Sequence, residues 1–168
     1  MTDQPTNAEA LARRALDELA IMRTLARVAH AQDDRDPVAY RKCFTDSVFL
    51  SAAVIIPGWQ PGEIAADELA RLTMESMNRL DACHHMVFNH IIDVDGDKAT
   101  CEADLFAVSV LVEGEATSTS SLGGRYFLRL ERQDGEWLIR ERAIRRRYGF
   151  GDPTLRAKAD ARAATVKS

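Results

Sequence analysis

The chain has 168 residues, of which 46% are hydrophobic and 29% charged, with a formal net charge of -4. That length suits a single domain with a substantial core, and the mildly acidic balance argues against nucleic acid or an anionic membrane as partner. Cys43, Cys83 and Cys101 show no CxxC spacing, MTDQPTNAEA carries neither a basic n-region nor an apolar h-region, and FLSAAVII is too short to span a bilayer, so a cytoplasmic location is expected.

From Ala8 to Asp33, Leu11, Ala15, Leu19, Met22, Ala26 and Ala29 recur at helical spacing and predict a long helix with that stripe turned inward. Asp36-Pro37 reads as the N-cap and first position of a short helix reaching Phe44. VFLSAAVII predicts a strand, PGWQPG a loop, and ADELARLTMESMNRLDA an amphipathic helix with Leu69, Leu72, Ser76 and Leu80 in line. The chain then turns to strands: HHMVFNHIIDV, KATCEADLFAVSVLVEG, GGRYFLRLERQ and EWLIRERAIRRR, with hairpin turns at Asp95-Gly96 and Asp134-Gly135. EATSTSSLGG reads as a loop entering a strand. Helices first and consecutive strands afterwards give an α+β domain over residues 1–150, its mostly antiparallel sheet curling over the helices and leaving a pocket. The tail, 151–168, reads as either a docked short helix or a frayed end.

Three of the four histidines fall in CHHMVFNHIIDVDGDKAT. Strand alternation places His85, Val87, Asn89 and Ile91 on one face and His84, Met86, Phe88, His90 and Ile92 on the other. Adjacent His84 and His85 therefore point apart, and the chain offers no HxxxH or CxxC spacing, so no metal site is expected. His30, His84 and His90 read as structural or exposed. Asp33 lies within about 20° to 40° of Met22, Ala26 and Ala29 on a helical wheel, which aims a carboxylate at the core. Two readings of it follow: the helix has ended and the acid is solvated, or it faces an imidazole whose tautomer and basicity it sets.

The pattern A-x-D-x-x-D leading into YRKCFTDSV, then H-x-x-x-N followed by DVDGDKA, and finally DGEWLIRER, resembles the SnoaL-like branch of the nuclear-transport-factor-two-like superfamily. That branch includes polyketide cyclase relatives, scytalone dehydratase, bile-acid dehydratase and lindane dehydrochlorinase. The resemblance covers roughly residues 10 to 150 and implies a cone: a curved antiparallel sheet wrapped around N-terminal helices, with an apolar pocket at the open end. It matches the lyases' aspartate to Asp33, their histidine to His85 and their arginine to Arg142, with a further acid near Asp104. The tyrosine that several dehydratases carry on the first helix has no counterpart here, where Val28 and His30 stand.

The implied chemistry is cofactor-independent proton abstraction from carbon by His85, with Asp33 holding the imidazolium and Arg142 stabilising an enolate oxygen or departing anion. For Arg142 the alternative is a solvated arginine face pairing with Glu131, Glu136 or Glu141. Trp59, Phe88, Phe106, Tyr126 and Asn89, with Phe49, Met86 and Phe127, are candidates for the pocket lining, though such side chains also serve as plain core. The expected partner is a small hydrophobic molecule of polyketide, steroid or cyclic type, and the expected assembly is a homodimer or homotrimer. The competing reading is a non-catalytic binding module or a structural β-subunit of an oxygenase.

Overall fold

The computed structural model describes residues 6–51 and 58–165. Helix α1 (Asn7–Asp33) opens on a capping box in which Thr6 Oγ1 accepts from the Glu9 amide at 3.3 Å and the Glu9 carboxylate accepts from the Thr6 amide at 2.8 Å. Its buried face is Asp17, Ile21, Thr24, Leu25, Val28, Ala29, Ala31 and Gln32. The stripe expected to face inward is mostly on the other side: Leu11, Leu19 and Met22 are 62%, 58% and 40% exposed. Two apolar stripes run along this helix, and periodicity alone does not say which one the sheet covers.

Asp36 caps α2 (Pro37–Arg41), its Oδ1 accepting from the amides of Val38 and Ala39 at 2.9 Å each. Strand β1 (Phe44–Leu50) follows; residues 52–57, which carry the rest of VFLSAAVII, lie outside the described residues. Strand β2 (Gly62–Ala65) leads into α3 (Ala66–Met77), which buries Leu69, Ala70, Thr73, Met74 and Met77. Then come β3 (Ala82–Asp95), β4 (Lys98–Glu113), β5 (Ala116–Gln133) and β6 (Glu136–Tyr148). The Ser/Thr-rich EATSTSSLGG is strand from Ala116 onward, not loop, because it pairs residue by residue with β4 from Val112↔Thr117 to Phe106↔Gly123. Helix α4 (Leu155–Thr165) seats Leu155 and Ala159 against Leu80 and Leu111.

The strands form one curved, unclosed sheet in the order β2-β1-β6-β5-β4-β3. Every neighbouring pair is antiparallel except β1 and β6, which run parallel. No helix among the described residues is long and apolar enough to cross a membrane.

Two β-bulges decide which side chains reach the interior. In β3 the pairing shifts between Phe88 and Ile91, where Asn89 sits at φ 55°. In β6, Arg129 pairs Glu141 but Leu130 pairs Ile139, leaving Arg140 as the extra residue. Each extra residue flips the alternation. Trp137 and Ile139 thus share the inner face with Arg142, whereas uninterrupted alternation would group Arg142 with Leu138.

Asp17 pins α1 to the sheet. Its carboxylate, 7% exposed, accepts from Arg132 Nη1 at 2.6 Å and Nη2 at 2.8 Å and from Trp137 Nε1 at 3.2 Å. Arg132 also stacks 4.6 Å over the Trp137 ring. The Arg132 bonds, aided by Trp137, outweigh burial and hold the Asp17 carboxyl below its usual range. Asp17→Ala strands that guanidinium with the exposed Asp97 as its remaining acid, so a loss of about 2–3 kcal/mol is expected, measured by denaturant unfolding.

Candidate active site

The site forms where the last turn of α1 passes the start of β3. Asp33 ends the helix, and Arg35 at φ 57° turns the chain away just beyond it. The carboxylate holds residue 85 at two points: Oδ1 lies 2.7 Å from His85 Nδ1 and Oδ2 accepts from the His85 amide at 3.0 Å. Both side chains are largely covered, at 15% and 11% exposure. Asp33 is therefore not the solvated residue that the first reading of it allowed. Because an ionised carboxylate only accepts, the contact assigns the proton to Nδ1 and leaves Nε2 as the basic nitrogen. His84 is on the other face and 68% exposed, with Nδ1 3.7 Å from Asp33 Oδ2.

Arg142 is buried at 5% exposure rather than part of a solvated arginine face. It donates from Nη1 to Tyr40 Oη at 2.8 Å and from Nη2 to Tyr126 Oη at 2.9 Å, and it lies 4.9 Å over the Tyr126 ring. No carboxylate among the described residues meets it, so a full cation is held in the interior by two neutral hydroxyls. Burial raises the Tyr126 pKa, opposed by Arg142, and keeps the phenol protonated.

His85 and Arg142 line one narrow cavity with Leu25, Val28, Gln32, Val87 and Tyr126, a cleft whose volume open to a water-sized sphere is about 10 Å³, room for roughly one water. Entry of a ring-sized ligand requires its walls to part. A wider open groove between α2, α3 and α4 contains none of these groups.

Several residues expected in the lining are elsewhere. Ala103, Leu105 and Tyr126 face the core, so Asp104 and Phe106, alternating with them, face outward. Asp104 there accepts from Arg125 Nε at 2.9 Å and from Asn89 Nδ2 at 3.0 Å. Phe88 is 41% exposed, and Phe106 packs against Tyr148 with ring centroids 6.5 Å apart. Met86 pairs Phe106 on that outer face, Phe127 stacks under Arg145, and Phe49 alternates with the inward Val48 and Leu50. Trp59 packs on the core and donates from Nε1 to the Leu50 carbonyl at 3.0 Å, away from the dyad cavity. Of the expected aromatic lining, Tyr126 is the residue that the cavity contains.

The family pattern described as a SnoaL-like domain matches residues 13–143 of the sequence, most of its length and every residue of the buried cluster just described. The chain belongs to the SnoaL-like family. No curated protein matches it. Among solved structures, the Kfla4162 protein from Kribbella flavida superposes with a TM-score of 0.77 at 19% identity, over 86% of this chain and 99% of that one. A candidate scytalone dehydratase from Novosphingobium aromaticivorans gives 0.69 at 19% identity, over 83% and 89%. The hexachlorocyclohexane dehydrochlorinase LinA-type3 from Novosphingobium barchaimii gives 0.67 at 21% identity, over 88% and 95%.

Within this SnoaL-like cone, sequence reasoning missed Tyr40, which orients Arg142, and Gln32, which lines the cavity. Position offered a cue for Gln32, the immediate neighbour of Asp33. Cys83 stands two residues before His85 on the same face of β3. Asp33, Cys83 and His85 bring ligand-competent atoms within 4.8 Å of one another, a grouping that the absence of HxxxH or CxxC spacing does not reveal. Burial, with the Asp33 charge beside it, raises the Cys83 pKa and keeps the thiol protonated.

Burial alone would raise the Asp33 pKa, but the side-chain and backbone bonds from His85 outweigh it and the net shift is downward. A depressed folded pKa contributes stability above the unfolded value of about 3.9, which is lost as pH falls through the folded value. The stability gap between wild type and Asp33→Asn is therefore expected to narrow below about pH 4, as read by urea unfolding at a series of pH values.

Proposed function

We propose that this SnoaL-like chain is a cofactor-independent lyase or isomerase that removes a proton from carbon next to a carbonyl in a small hydrophobic molecule. The single observation that carries the reading is the two-point hold of Asp33 on His85, facing a cavity that also contains an uncompensated guanidinium. His85 Nε2 takes the proton, and the Asp33 carboxylate stabilises the imidazolium that forms. The electron pair moves onto the carbonyl oxygen, where Arg142 offsets the developing charge in surroundings that exclude water. Collapse of that enolate then either expels a group from the neighbouring carbon or returns the proton elsewhere, which gives elimination or isomerisation. The dehydratase and dehydrochlorinase names of the structural neighbours are consistent with the first outcome.

The test needs no knowledge of the natural substrate. Cyclic ketones of one to four rings are incubated with the protein in D₂O, and incorporation of deuterium next to the carbonyl is followed by NMR. Protein-dependent exchange supports the assignment. Saturable binding without exchange would sink it in favour of a binding module.

A further inference from the structure

One polar group in the cavity is unaccounted for by a base, its orienting acid and a cation. Gln32 is 1% exposed, lines the cavity with His85 and Arg142, and its amide oxygen Oε1 is buried without a hydrogen-bond partner. An acceptor left unpaired in the interior forfeits its hydrogen bond to water and destabilises the fold. The backbone of Gln32 is fully used, its carbonyl accepting from the Arg35 amide at 3.3 Å and from Cys83 Sγ at 3.7 Å. The side chain has no such role among the described residues. Leucine or methionine in its place would fill the same wall of Leu25, Val28 and Ala29 without leaving an orphan.

The neighbouring polar groups define what would complete it. Arg142 can only donate, so it asks the ligand for an acceptor. His85 Nε2, unprotonated, is aimed at the proton it removes. Gln32 Oε1 is the remaining acceptor, and it asks for a donor. We infer that Gln32 is the specificity-determining residue of this cavity, its amide oxygen accepting a hydrogen bond from a hydroxyl group carried by the carbonyl ligand. The ligand class narrows to compact hydroxy-carbonyl compounds, with the carbonyl toward Arg142 and the hydroxyl toward the end of α1. This rests on the cavity being the place where the ligand proposed above is held.

The probes are 3-hydroxycyclohexanone and 3-methylcyclohexanone, which differ by a hydroxyl and a methyl of similar size, together with the corresponding pair of two-ring ketones. Binding is read by saturation-transfer NMR, separately from deuterium exchange, for wild type and Gln32→Met. Wild type is expected to prefer the hydroxy ketone of a pair by about 10-fold, a site built for a hydroxyl being left unpaired by the methyl analogue. Gln32→Met is expected to lose or reverse that preference while melting no lower than wild type, an outcome that a merely structural glutamine would not give. Equal binding of the two ketones, a preference that survives in Gln32→Met, or failure of wild type to bind any of the four overturns the inference. Preference and its loss without exchange in either protein would leave Gln32 standing and remove the role of His85 as base.

Discussion

Replacing His85 with alanine is expected to lower the rate of ketone exchange by about 10³-fold, within the range that a positioned general base contributes, while the melting temperature stays close to that of wild type. The two halves of this expectation have separate causes. The ring supplies the nitrogen that takes the proton, and nothing else among the described residues places a basic nitrogen in that cavity. The Asp33 contact at Oδ2 is made by the backbone amide of residue 85 and survives the substitution, so the junction of α1 with β3 is retained. Asp33→Asn has a different signature. The asparagine can still meet the amide but no longer stabilises an imidazolium, so exchange falls although the ring is present. A variant with normal exchange after loss of the ring would end the catalytic reading; a collapse of the melting temperature would make residue 85 a structural member of the core.

How much of this was legible in advance depends on what side-chain pattern can encode. The capping residue Asp36, the hairpin turns at Asp95-Gly96 and Asp134-Gly135 and the order of helices before the four long strands follow from local chemistry and appear where the sequence puts them. The short helix stops at Arg41 instead of reaching Phe44, β2 has no counterpart in the reading, and the Ser/Thr-rich stretch after Glu115 is strand where a loop is expected. Facing is a different matter. Alternation says that Asp104 and Phe106 share a side, but it is silent on which side the helices cover. One extra residue at Asn89 or Arg140 then inverts every assignment beyond it. Asp33 continues an apolar stripe on the helical wheel, yet most of that stripe faces solvent. The carboxylate is nevertheless inward, because α1 stops there and β3 passes beside its last turn. Gln32 and Tyr40 were unreadable for another reason: a polar residue acquires meaning only through the atom it meets, or fails to meet, across the fold.

Arg142→Met is expected to lower ketone exchange by about 10²–10³-fold, the effect of losing one preorganised electrostatic contact of about 2.7–4 kcal/mol, with a melting temperature equal to or above that of wild type. A guanidinium taken out of water without a carboxylate is costly, and an apolar side chain of similar volume removes that cost. The hydroxyls of Tyr40 and Tyr126 accept from Arg142 rather than donate to it; after the change Tyr40 still meets Thr73 Oγ1 at 3.4 Å, while the buried Tyr126 hydroxyl loses its partner, a cost of about 1–3 kcal/mol that removal of the uncompensated cation offsets. The buried charge is thus a local expense that the fold itself does not require. Arg142→Lys separates charge from geometry: it retains a cation but not the fork that reaches two tyrosines at once, and it should recover part of the exchange rate. Paired measurements of exchange and thermal unfolding on both variants distinguish the two roles. Lower stability with unchanged exchange would make Arg142 a clamp between β6 and the two tyrosines rather than the group that stabilises an enolate.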